Sequence, residues 1–216
     1  MRYKVLIFDW DGTLLDSEAH IVSCFQKAAE DIGLPSLSSS VVRDIIGLGL
    51  FEAVIRLFPG LEPPRQSSFV ERYRHHYFLD QAPSVLFPGV KETLQLFHND
   101  GYWLAVATGK SRRGLDLALQ ETGLLPLFSV TRCADETYSK PDPTMLFEIL
   151  QELSLRTAEA IMVGDTVYDM EMAERARMDR AAVTYGAHEV ERLVRWDPLA
   201  CFQKFPEFRD WLQQQR

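Results

Sequence analysis

Short apolar runs punctuate the chain at Tyr3–Phe8, Trp103–Ala107, Ser129–Cys133, Ile161–Val163 and Ala181–Val183. Apolar residues at successive rather than alternate positions, over so few residues, predict strands buried on both faces. Between the later runs, apolar residues recur at helical spacing, predicting helices at Val90–Phe97, Leu115–Glu121, Thr144–Leu153 and Val167–Arg175. Strand and helix alternate. That rhythm predicts an α/β fold with a doubly wound, mainly parallel, Rossmann-like sheet.

From Ser17 to Leu86 the rhythm stops and no convincing strand is found. Ser17 is placed to N-cap a helix carrying Ile21, Phe25, Ala28, Ala29 and Ile32 on one face, with Gly33 closing it. After the serine-rich loop Ser36–Ser40, helices are predicted at Val41–Ile46, Phe51–Phe58 and Gln66–Phe78, separated by Pro59–Gly60 and Pro63–Pro64. Pro83 and Phe87–Pro88–Gly89 mark the return. The predicted organisation is a catalytic core of residues 1–16 and 87–216 with an all-helical insertion, residues 17–86. No internal repeat or low-complexity segment is evident.

Composition narrows the function classes. The 216 residues suit one sizeable domain or a core with a small insertion. A net charge of -8 argues against a nucleic-acid partner, because such binding is driven by cationic patches. No apolar run is long enough to cross a membrane, and Met1–Lys4 leads straight into the first run, so no membrane and a cytoplasmic location are expected. Cys24, Cys133 and Cys201 are far apart and lack metal spacing, which fits reduced, mostly buried thiols. The oligomeric state is not legible.

Four motifs fall at predicted strand ends: Asp9–Trp10–Asp11–Gly12–Thr13, Thr108–Gly109, Lys140–Pro141–Asp142–Pro143, and Gly164–Asp165 with Asp169. Any one of these aspartates alone is explained as a turn former or helix cap. Parallel strands, however, bring their carboxyl ends to one rim, where open α/β sheets bind ligands. Asp9, Asp11, Asp165 and Asp169 would then share a small volume. Two like charges ~4 Å apart repel by about 1–4 kcal/mol, so the cluster calls for a cation. All-oxygen ligands suit Mg2+ rather than zinc. Asp169, four residues after Asp165, is placed a turn inside the last helix, beyond what the helix dipole excuses.

Phosphate-monoester hydrolysis needs the parts this set offers. Asp9 can serve as nucleophile, forming an aspartyl-phosphate. Asp11 can protonate the leaving alkoxide and then activate water. Lys140 and a metal can neutralise charge, and Thr108 with Gly109 can hold the phosphoryl oxygens.

These motifs resemble the haloacid-dehalogenase (HAD) superfamily: Asp9–Thr13 its DxDGT motif, Thr108 its second, Lys140 its third, and Gly164–Asp165 with Asp169 its fourth. The helical insertion resembles its small helical cap. Leu14–Leu15–Asp16–Ser17, Phe87–Pro88–Gly89–Val90 and Ser139–Pro143 are most similar to the phosphoglycolate-phosphatase-like branch. The resemblance implies Asp9 as nucleophile and metal ligand and Asp11 as acid/base with its backbone carbonyl on the metal. It implies Thr108 on phosphate, Lys140 stabilising charge, Asp165 on Mg2+ and Asp169 supporting the metal directly or through water. Arg177 stands where the family commonly has a helix-ending glycine. Gly47–Leu48–Gly49–Leu50 lacks the Ser–Arg pair of related sugar-phosphate mutases.

The expected function is a Mg2+-dependent phosphatase for a small phosphorylated metabolite, phosphoglycolate-like. A phosphomutase, a dehalogenase and a non-catalytic binding or regulatory module are the rivals. Other polar residues have bland expectations. His75 and His76 point to different helix faces and sit at the surface, and His20 and Glu18 reach the cleft only if their helix turns them inward. Lys110, Arg112 and Arg113 are expected as exposed helix-surface charge, and Arg43, Arg56, Arg72 and Arg74 as solvated. Trp10 is expected to pack under the cap or line the leaving-group pocket. Trp196, Phe202, Phe205, Phe208 and Trp211 are expected to dock the tail on the core.

Overall fold

The computed structural model describes residues 2–79 and 84–215; Pro83, expected to mark the return to the core, lies outside them. Strands β1 (Val5–Phe8), β2 (Trp103–Thr108), β3 (Val130–Cys133), β4 (Ala160–Gly164), β5 (Asp179–Val183) and β6 (Cys201–Phe202) form one sheet. The order is β3-β2-β1-β4-β5-β6 and every pairing is parallel. Val5–Phe8 pairs with Trp103–Val106 on one side and Ala160–Val163 on the other. The three central strands therefore finish at the same level, which fixes where their following loops meet.

Alternation along the strands divides the core into two layers. Leu6, Phe8, Leu104, Val106, Ile161 and Val163 face α5 (Val90–Asn99), α6 (Arg112–Thr122) and α10 (Phe205–Gln213). Val5, Ile7, Ala105, Ala107, Ala160 and Met162 face α7 (Thr144–Leu153) and α8 (Val167–Arg175). Burying each large apolar side chain stabilises by about 1.5–3 kcal/mol. Phe202, Phe205, Phe208 and Leu212 join the first layer. The expected tail docking is thus present, but it brings a sixth strand that the sequence pattern does not show, because Cys201–Phe202 has only one buried residue.

Between β1 and α5 lie α1 (Glu18–Asp31), α2 (Ser39–Arg43), α3 (Leu50–Leu57) and α4 (Pro63–Leu79). They close a separate core around Phe25, Val42, Val54 and Phe69. The two connecting segments run side by side, Asp16 N–H donating to Val85 O at 2.8 Å and Phe87 N–H to Leu14 O at 3.0 Å. α4 begins earlier than its expected Gln66, since Pro63 supplies a φ suited to a first helical turn. Ser17 precedes α1 but does not cap it with its side chain. Trp10 is not among the residues lining the site cavity, against expectation: it is fully buried in the first core layer, against Phe128.

After α8, Arg177 adopts φ 52°. A non-glycine residue in the left-handed region costs about 1–2 kcal/mol, the local penalty expected where the family commonly has glycine. Among the described residues, no helix is long and apolar enough to cross a membrane.

Candidate active site

Asp9 follows β1, Thr108 ends β2, and Asp165 follows β4, so sheet register alone brings them to one rim. Gly12 turns the chain away after β1 with φ 83°, and a Cβ there would lie 2.2 Å from Asp165 Oδ2. Only glycine allows that approach. Thr13 Oγ1 then donates to Asp165 Oδ1 at 2.6 Å, and Ala187 N–H to Asp165 Oδ2 at 2.8 Å.

Asp169 is not a turn inside its helix. Thr166 is the N-cap of α8, and Asp169 is the third residue after it in a capping box. Thr166 N–H and Oγ1 both donate to Asp169 Oδ2, at 3.0 and 2.7 Å. The helix terminus therefore does account for this carboxylate in part, against the sequence-based expectation. Its other oxygen lies 2.7 Å from Lys140 Nζ.

Lys140, fully buried in the loop before α7, bridges Asp169 and Asp9, whose Oδ1 is also 2.7 Å away. Burial opposes the ammonium charge, but Asp169 and Asp9 outweigh it and hold the Lys140 pKa above its ordinary value. One ammonium cannot balance three buried carboxylates. Burial pushes Asp9 well above the usual carboxylate range, despite Lys140. Burial and the neighbouring Asp169 push Asp165 up to about 7.

Asp9, Asp165 and Asp169 each offer an oxygen within 4.8 Å of the others. Asp9 Oδ1 accepts from Trp10 N–H at 2.6 Å as well as from Lys140, whereas Asp9 Oδ2 is buried without a hydrogen-bond partner. An orphaned carboxylate oxygen inside an all-oxygen, under-neutralised cluster fits a hard divalent cation such as Mg2+.

Asp11 is not part of that cluster by its side chain. Its carboxylate accepts from Lys110 Nζ at 2.8 and 2.9 Å and from Ser17 Oγ at 2.6 Å. Lys110 departs from its expectation as surface charge. It is 9 % exposed and its ammonium lies 4.8 Å from the centroid of the Tyr77 ring on α4. Burial opposes its charge, but Asp11 and Tyr77 prevail and raise its pKa. Periodicity misses this because Lys110 precedes α6 in a loop that folds inward.

Thr108 is buried, and its Oγ1 accepts from Lys110 N–H at 3.1 Å. Asp9, Asp11, Thr108 and Gly109 line a cavity of about 180 Å3, closed from the inserted helices by Phe25, Leu48, Tyr73 and Tyr77. Arg74 is exposed, as the sequence suggests, and also borders the cavity. Gly49 N–H donates to Ser139 Oγ at 2.7 Å and Tyr168 OH to Asp44 O at 2.6 Å, tying the inserted helices to the rim. Glu18 instead pairs with Arg43, His76 with Asp31, and His20 lies against Tyr77. His188, not singled out in the sequence, is buried with Nδ1 accepting from Val167 N–H at 3.0 Å at the start of α8.

Comparison with known proteins agrees with this geometry. Residues 6–183 match the family described as haloacid dehalogenase-like hydrolase. The chain is 36% identical over 208 residues to the "Probable phosphatase IndB" of Dickeya dadantii, covering 94% of this chain and 90% of that one. It is 31% identical over 204 residues to the N-acetylmuramic acid 6-phosphate phosphatase of Pseudomonas aeruginosa, covering 91% and 88%. The crystal structure of a predicted phosphoglycolate phosphatase from Haemophilus somnus 129PT superposes with a TM-score of 0.89 at 26% identity, covering 98% and 99%. The chain belongs to the haloacid dehalogenase-like hydrolase family and is an enzyme of its phosphoric-monoester-hydrolase type.

Proposed function

We propose that this enzyme is a Mg2+-dependent phosphatase of small organic phosphate monoesters, phosphoglycolate-like, that works through a phospho-Asp9 intermediate. The observation that carries the reading is the asymmetry of Asp9: one oxygen is held by Lys140 and Trp10 N–H, while the other is buried without a partner. An Asp9 oxygen attacks phosphorus as the ester oxygen departs, taking a proton from Asp11. Water then attacks the aspartyl-phosphate, giving its proton to Asp11. Inorganic phosphate leaves and the Asp9 carboxylate is restored. Lys140 balances charge from behind, and Thr108 with Gly109 holds phosphoryl oxygens. Asp9, Asp165 and Asp169, with the Asp11 backbone carbonyl, would hold Mg2+, which when bound neutralises charge on the transferring phosphoryl group.

Residues 17–86 act as a cap that excludes water from the first displacement and shapes specificity. Arg74 on α4 lines the cavity and offers a cation to an acidic leaving group. Glycolate carries a carboxylate, and so does N-acetylmuramic acid. Small phosphorylated metabolites as substrates make the cytoplasm the proposed location. Two of the three cysteines, Cys24 and Cys133, are buried, and none of the three is in a disulfide among the described residues.

The test is phosphate release from a panel including 2-phosphoglycolate, N-acetylmuramic acid 6-phosphate and sugar phosphates, with and without Mg2+. Turnover of at least one acidic ester, abolished by EDTA and by Asp9→Asn, is the expected result. Turnover that survives either change overturns the reading.

A further inference from the structure

We infer that Lys110 is a positioning residue for the acid/base Asp11, gripping that carboxylate and tying it to the cap through Tyr77. The inference rests on the acid/base role proposed for Asp11 and adds to it a residue outside the four motifs. An ammonium has three donor hydrogens. Lys110 spends donors on both Asp11 oxygens, at 2.8 and 2.9 Å, while its Nζ packs on the Tyr77 ring. Little donor capacity is left for a substrate anion, so Lys110 acts through Asp11.

Three separate parts of the molecule meet at this carboxylate. Ser17, in the segment entering the cap, donates to Asp11 Oδ1 at 2.6 Å. Lys110 comes from the core loop after β2. Tyr77 comes from α4, near the far end of the cap. The backbone N–H of Lys110 also donates to Thr108 Oγ1, which leaves the threonine hydroxyl proton for a phosphoryl oxygen. One short loop thus orients both a phosphate-holding hydroxyl and the group that must reach the ester oxygen. Proton transfer in the transition state demands hydrogen-bond reach to that oxygen, and a carboxylate free to rotate loses it.

Leaving-group dependence separates positioning from mere structural support. An alkyl alkoxide must be protonated as it departs, whereas p-nitrophenolate leaves unaided. kcat/KM is measured for the best alkyl phosphate of the panel and for p-nitrophenyl phosphate, reporting the first displacement in both cases. In Lys110→Met the alkyl ester should lose about a hundredfold more than the aryl ester. Lys110→Arg should recover part of that selective loss. Tyr77→Leu should show the same selectivity at roughly tenfold, and it carries the test should Lys110→Met fail to fold. Asp11→Asn is run alongside. Selective loss in Asp11→Asn with equal losses on both esters in the Lys110 and Tyr77 variants overturns the inference and leaves the acid/base role standing. Equal losses in Asp11→Asn itself overturn the acid/base role.

Discussion

The rim holds two buried lysines that solve the same electrostatic problem differently. Lys140 sits between Asp9 and Asp169, every partner belonging to the core. Lys110 sits between Asp11 and Tyr77, and one of its partners belongs to the cap. The first half of the site is complete once the core, with the loop before α7 and the start of α8, has folded, and the second is complete only with the inserted helices in place. Asp9 and Lys140 are therefore held within the core, whereas Asp11 and Lys110 answer also to the inserted helices.

The largest expected effect breaks the Lys140 half. Lys140→Met leaves Asp9 and Asp169 buried without their shared cation, costing about 3–5 kcal/mol in urea unfolding and abolishing turnover. Lys110→Met should cost less, roughly 1–3 kcal/mol, because Asp11 lines the cavity, where water can solvate its carboxylate. Equal costs would erase the distinction between the halves. Thr166→Ala removes the side-chain N-cap of α8, the Oγ1 donor to Asp169 Oδ2 and the acceptor for Asp169 N–H, and leaves the Thr166 backbone N–H donor in place. About 1 kcal/mol of stability should go, read by thermal melting. Ser139→Ala deletes the acceptor for Gly49 N–H. About 1 kcal/mol should go, read as a lower urea midpoint, with KM raised by at most roughly fivefold and kcat nearly unchanged.

The smallest effect is a pH dependence at the cap-facing start of α8. Burial, reinforced by Arg192, lowers the His188 pKa below 6.5. The unfolded chain then takes up this proton before the folded one does. Stability is fully present above about 6.5 and falls as pH drops toward the folded pKa. His188→Gln should flatten that part of the urea-midpoint profile, and an unchanged profile would count against this account.

What could be read from sequence follows the same division. Val5–Phe8, Trp103–Thr108 and Ala160–Gly164 are buried at every position but Trp103, so their apolar runs announce them. Asp9 and Asp165 were legible because they sit where two of those strands end, and Lys140 because its Lys–Pro–Asp–Pro run stands just ahead of α7. Lys110, Ser17 and Tyr77 were not, because their contacts cross from loop to linker to cap and no periodicity encodes that meeting. Ser17 looks like a helix cap, and its hydroxyl is instead spent on Asp11. Asp169 was found as a candidate but taken to lie beyond the reach of the helix start, whereas it is the third residue after the Thr166 cap and part of its capping box. β6 escaped because two residues on a sheet edge make no pattern.

Of the strands in this sheet, the first to be synthesised is also one of the two central ones. Val5–Phe8 must remain unpaired while the whole insertion and then β2 emerge, and the Thr13–Asp165 hydrogen bond closes a separation of 152 residues. Helices α1–α4 are contiguous and own a core, so they can condense meanwhile. Until β4 arrives, an apolar strand edge is open to neighbouring chains, and that interval is when aggregation threatens most. A chain truncated before β4 carries a lid without an enzyme beneath it.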